Sequence, residues 1–165
     1  MLLPSRRICA QNAELGLLSS LKSAGVSFMM MNKDGNMSLA RIYVDLDKVL
    51  RGVEQTPGVK ADYHILLSLT EKKWGDALGL NLLAGPGAAV GYAIDKGKSH
   101  GMIAGLSGVF MAKFSFKPPV TISVGLSCIM GCHITTKSKF EKTLTLYKSG
   151  IYNAYIPEIT INWQF

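Results

Sequence analysis

Asp62, His64 and Ser68 fall on one face of the alternating stretch Ala61–Thr70, and these are the residue types of a serine hydrolase. In that chemistry a histidine takes the proton of a serine hydroxyl, an aspartate orients the histidine, and the serine attacks an acyl carbon. Acyl hydrolysis or acyl transfer would be the reaction. The spacing argues against it, because His64 and Ser68 are roughly 13 Å apart along an extended chain. A nucleophile must touch its base, and no hydrolase motif surrounds these residues. His100 and His133 each stand near a loop end and read as polar rim residues. Cys128 and Cys132 are likewise roughly 13 Å apart on one strand, beyond the about 7 Å between Cα atoms that a disulfide allows. With Cys9 near the N-terminus, no disulfide framework, metal site or cofactor site emerges.

The elements that carry these residues are long strands. The chain has 165 residues, enough for one domain. Hydrophobic residues make up 48% and charged residues 18%, and the 17 glycines argue against an all-α fold. No run reads as a membrane-spanning helix, which needs roughly 20 apolar residues. The strongest signal is period-two alternation. In Val120–His133, Val120, Ile122, Val124, Leu126, Cys128, Met130 and Cys132 face one way. Small and mostly polar residues such as Thr121, Ser123 and Ser127 face the other. The stretches 61–70, 77–95 and 101–116 repeat the pattern, and Pro86 predicts a bulge or local irregularity, since it cannot donate to a ladder.

Turn signals separate these runs: Asn32–Asn36 as a hairpin turn, 95–99 as a short polar loop, and Lys117-Pro118-Pro119 as a stop. Eight strands are predicted, near 14–21, 25–32, 37–48, 59–70, 77–95, 100–116, 119–134 and 155–165. An even count brings both termini to one side. Short turns at 33–36, 71–76 and 117–119 then share the periplasmic side, and the outer loops are 22–24, 49–58, 96–99 and 135–154. The first hairpin has a competing reading, because residues 13–24 also suit a short amphipathic helix. Residues 1–12 read as a signal-peptide remnant or a disordered tail, with Ala10-Gln11 resembling a cleavage site.

Strands cross lipid only in closed barrels, where every backbone group finds a partner. The fold expectation is therefore all-β: an eight-stranded, antiparallel, up-and-down transmembrane barrel over 13–165. The last strand sharpens it. Ile159, Ile161, Trp163 and the terminal Phe165 share one face against Glu158, Thr160, Asn162 and Gln164. This resembles the C-terminal signal that outer-membrane barrels present to their assembly machinery, which makes that machinery an expected partner. The location expected is the outer membrane of a Gram-negative bacterium.

The segments 84–92 (Ala-Gly-Pro-Gly-Ala-Ala-Val-Gly-Tyr), 104–108 (Ala-Gly-Leu-Ser-Gly) and 150–157 (Gly-Ile-Tyr-Asn-Ala-Tyr-Ile-Pro) carry a family likeness. From about Ala13 to Phe165 the chain resembles small outer-membrane barrel proteins of the Bacteroides group. Trp163-Gln164-Phe165 stands where such proteins usually have an aromatic, a basic residue and phenylalanine, so Gln164 departs from the pattern. The resemblance implies barrel architecture and location, not an activity.

A barrel of about eight strands is filled by side chains. The inner rows bring Arg41, Tyr43, Asp45, Asp62, His64, Lys113, Glu158, Asn162 and Gln164 inward. Buried charges must pair, so Arg41, Asp45, Asp62, His64, Lys113 and Glu158 are expected to form a lumen network that holds the barrel closed. The net charge of +7 suits a solvated surface or anionic lipid head groups. Nucleic acid is not expected, because the lysines do not interleave with aromatics. Lys137, Lys139, Lys142 and Lys148 fall in the long outer loop, where they would meet lipopolysaccharide phosphates. The functional expectation is a monomeric barrel with a structural or accessory envelope role. The alternatives are an outer-membrane lipid-modifying enzyme, an acyl hydrolase or acyltransferase, and a soluble ligand-binding barrel.

Overall fold

Alternation is resolved into strands wherever it was strong in the sequence. A computed structural model of the chain describes residues 13–32, 35–46, 50, 58–75, 78–94, 100–116, 119–136, 142–143 and 152–165. The strands are β1 (Ala13–Ser20), β2 (Ser23–Met31), β3 (Met37–Asp45), β4 (Gly58–Trp74), β5 (Leu78–Ile94), β6 (His100–Ser115), β7 (Val120–Thr136), β8 (Lys142–Thr143) and β9 (Tyr152–Gln164). Each pairs antiparallel with its neighbour, and β9 joins β7 to β1, so eight strands close a ring. β8 is a two-residue strand on the end of β7. The ring is an up-and-down barrel of the expected class.

The register sets the barrel's shape. Stepping round the ring through paired residues from Glu14 passes Met29, Leu39, His64, Gly87, Ser107 and Ile129 to Ala154. Glu14 itself pairs with Gln164, so the ring closes with a stagger of ten residues. Stagger of this kind tilts the strands and fixes a narrow interior that side chains fill.

Of the two readings of the first hairpin, the strands hold and the amphipathic helix does not: Glu14 and Leu18 on β1 face inward while Leu15 and Leu17 face outward, and β2 begins at Ser23. Other expectations shift in their bounds. β3 ends at Asp45 and β9 begins at Tyr152, against the expected 48 and 155. β4 runs on to Trp74, so 71–74 are strand and the turn is carried by Gly75 at φ 64°. A register shift between Ser68 and Thr70 marks a β-bulge, which reverses which residues face inward beyond it. The expected irregularity at Pro86 takes a milder form. The β4–β5 pairing lapses opposite Pro86 and Gly85 and resumes in the same register. The hairpin turn at 32–36 is closed by Asn32 N–H donating to the Asn36 carbonyl at 2.7 Å, with Gly35 at φ 81°.

Inside, two apolar clusters fill the lumen. One holds Met29, Met37, Leu39, Leu66, Leu83, Val109 and Met111; the other holds Leu18, Tyr43, Ala89 and Ile129. Outside, every strand of the ring presents large apolar residues to the surroundings, among them Leu17, Val26, Ile42, Ile65, Val90, Leu106, Leu126 and Ile161.

Candidate functional site

β3 and β4 pair with Arg41 directly opposite Asp62. Both side chains point into the barrel and are almost wholly buried. Arg41 Nε donates to Asp62 Oδ1 and Nη2 donates to Oδ2, each at 2.7 Å. This is the two-pronged geometry that the planar guanidinium favours. The remaining Nη1 donates to Glu158 Oε1 on β9. Ser127 Oγ on β7 donates to Glu158 Oε2 at 3.2 Å. One arginine thus ties β3, β4 and β9, with β7 attached through Ser127. Along β3 the inward residues run Leu39, Arg41, Tyr43, so this charged layer lies between the two apolar clusters.

His64 is the next inward residue on β4 and is fully buried. Its Nδ1 is 3.5 Å from Asp62 Oδ1, and neither ring nitrogen has a hydrogen-bond partner among the described residues. It packs over Gly87, where an added Cβ would come within 2.4 Å of the imidazole Cδ2. Ser68 does not join it. Ser68 is exposed and donates to Asn81 Oδ1 at 2.8 Å. Asp62 and His64 therefore lie together without the serine that acyl chemistry requires.

The other expected lumen charges belong to two separate pairs. Lys113 Nζ reaches Glu14 Oε1 at 2.5 Å, joined by Gln164 Nε2 at 2.8 Å and Thr121 Oγ1 at 3.3 Å. This cluster is near the end that carries Ala13 and Phe165. Asp45 pairs with Lys60 at 2.6 Å, toward the opposite end. Asn162 bridges Ser27 and Ser123 at 3.2 Å each. Sequence reasoning missed Glu14 because the helix reading competed for its segment, and missed Lys60 because the inward row on β4 was started at Asp62. For the bridging serines 27, 123 and 127, the inward small polar row was the available signal.

Lys137, Lys139 and Lys148 lie outside the described residues. Lys142 lies on β8, but its side chain is also outside them. The same holds for the side chains of His100 and His133, which stand on β6 and β7. Cys128 and Cys132 are free, on the outer face of β7. Among the described residues no group of three His, Cys, Asp or Glu is placed to hold a metal ion. The arrangement is a set of internal ion pairs and hydrogen bonds across a filled lumen. At the end that carries Ala13 and Phe165 the filling stops at a pocket of about 170 Å³, lined among others by Met29, Met31, Met37, Glu71, Lys73 and Lys113.

Among solved structures, the chain is similar to the N-terminal β-barrel domain of Pseudomonas aeruginosa OprF. The identity is 11% and the TM-score 0.55, over 94% of this chain and 98% of that one. It is also similar to Neisserial surface protein A (NspA), at 11% identity and a TM-score of 0.47, over 93% of this chain and 94% of that one. The likeness to the OprF domain shows the fold. No protein-family model and no curated protein matches the chain.

Proposed function

We propose that the chain is a monomeric outer-membrane barrel of a Gram-negative bacterium, closed to ions by its own side chains, with a structural or accessory role in the envelope. The observation that carries this is the inversion of its two faces. Charged residues such as Arg41, Asp62, Lys113 and Glu158 are buried and paired inside, while leucines, isoleucines and aromatics are exposed all round the outside. A soluble monomer rarely exposes a continuous apolar surface of this kind. The dimensions agree. The nine-residue strands β2 and β3 span roughly 30 Å along the chain. A tilt of about 40° leaves roughly 23 Å across the membrane, close to the apolar band of about 25 Å of such barrels. The likeness to the OprF β-barrel domain supports the barrel fold on which this reading rests.

In this reading the end with Ala13 and Phe165 faces the periplasm, β9 is read by the barrel-assembly machinery, and Lys137, Lys139, Lys142 and Lys148 meet lipopolysaccharide phosphates as point charges. Acyl hydrolysis is disfavoured because Ser68 bonds Asn81 and is held away from His64. A soluble ligand-binding barrel is disfavoured because the interior is occupied by side chains.

The test is conductance. The full chain, refolded and inserted into planar lipid bilayers, is expected to give no stepwise ion current at physiological salt. Steady channels like those of a water-filled pore would overturn the closed-lumen role.

A further inference from the structure

β4 is longer than the strand beside it. β3 begins at Met37, opposite Leu66, so among the described residues the stretch Leu67–Trp74 pairs only with β5, with Leu69 skipped at the bulge. All eight residues are exposed. The β4–β5 hairpin therefore projects past β3 at the end that carries Ala13 and Phe165, and along its β3 side no described residue pairs with its backbone groups. Lipid does not tolerate an open edge, since each unsatisfied N–H or C=O costs several kcal/mol there. This edge must stand in water, as Glu71, Lys72 and Lys73 on it also require.

An open, extended edge is a template for a further strand. Strand addition takes its affinity from main-chain hydrogen bonds and its specificity from pockets under alternate side chains. Such a pocket is present. The space beside the edge is the barrel mouth lined by Met29, Met31 and Met37, with Glu71 and Lys73 on the hairpin's inner face. Methionine is the side chain that adapts most readily to an apolar guest. Glu71 and Lys73 pair with each other at 3.0 Å, and Lys72 lies on the opposite face, where it would favour an acidic neighbour. A second copy does not fit the role. Antiparallel pairing of two β4 edges would point the two barrels in opposite directions, which one membrane cannot hold.

We infer that Leu67–Trp74 is a docking edge for an extended segment of another polypeptide. That segment adds as a strand, sets an apolar side chain over Met31 and Met37, and sets acidic side chains against Lys72.

The probe is a capped synthetic octapeptide, Thr-Glu-Val-Glu-Val-Glu-Val-Thr. The full chain is refolded in detergent micelles and checked first for a heat-dependent gel shift, so that failure of the barrel itself is seen separately. Backbone hydrogen exchange is then followed with and without peptide. Exchange across 67–74 is expected to slow about tenfold or more while β9 is unchanged. Two further peptides, N-methylated on alternate amides in opposite phases, keep the side chains and block one edge each. One of them is expected to lose about tenfold or more in affinity, and Lys72→Glu to weaken the parent peptide several-fold. No slowing at 67–74, or equal binding by both methylated peptides, would overturn the docking edge.

Discussion

Arg41 and Glu158 are bonded across the lumen although 117 positions separate them in the chain. Neither strand is the other's neighbour: β1 and β2 lie between β9 and β3 in the ring. The bond exists only when β9 has closed on β1, so it reports closure rather than local structure. The same arginine grips Asp62 on the adjacent strand with its other two nitrogens. A guanidinium with every face engaged is a strong clamp, and its removal leaves two buried carboxylates with no cation.

Arg41→Met is therefore expected to destabilise the barrel by about 3–5 kcal/mol. Neutralising the partners in the same chain, with Asp62→Asn and Glu158→Gln, is expected to recover much of that loss. Urea titration of the barrel in lipid vesicles, read by gel mobility, gives both numbers. An Arg41→Met variant as stable as the parent would contradict the clamp.

Gly16 on β1 faces the Asn162 bridge. A Cβ there would stand 2.0 Å from Asn162 Oδ1 and 2.5 Å from Ser27 Oγ. Overpacking of this kind costs about 1–3 kcal/mol. Because the obstacle is a side chain, Gly16→Ala is expected to cost less in an Asn162→Ala background, with a coupling of about 1 kcal/mol in a double-mutant cycle. Additive costs would place the clash elsewhere.

Ile42 is 56% exposed on the outer face of β3, next in sequence to the clamp. If lipid surrounds that face, Ile42→Arg carries a charge into the hydrocarbon and costs about 2–4 kcal/mol. On a water-exposed face the same change is worth at most about 0.5 kcal/mol. Folding titrations in vesicles separate the two.

Ser68→Ala removes one exposed hydrogen bond to Asn81 and is expected to alter stability by no more than about 0.5 kcal/mol. Mass spectrometry of lipid A from cells expressing the parent chain is expected to show no lost or added acyl chain. An acyl change that His64→Ala abolishes would restore the enzyme reading.

Much of the fold was legible because alternation is a property of each strand alone. Val120–His133 and Ile159–Phe165 sort into an inner and an outer row without knowledge of any partner. The inner row named Arg41, Asp62, His64 and Glu158, and the structure brings those four together. What alternation does not encode is register. Nothing in either strand says that Arg41 stands opposite Asp62, or that Asp45 and Lys113 belong to separate pairs with Lys60 and Glu14; those follow from ring closure with its ten-residue stagger. Glu14 was hidden for another reason. Leu15, Leu17, Leu18 and Leu21 fit a helical stripe as well as a strand, and pairing with β2 and β9 decides between them. The bulge at Ser68/Thr70 left no mark, because Leu67 and Leu69 continue the outer row up to it, and the polar residues 70–73 suit either a strand or a turn.

Fractionation of cells expressing the chain behind a secretory signal, followed by electrophoresis with and without boiling, tests the membrane barrel most directly. The account predicts a protein in the outer-membrane fraction whose mobility shifts on heating. A protein that stays soluble without detergent, at one mobility throughout, would contradict it.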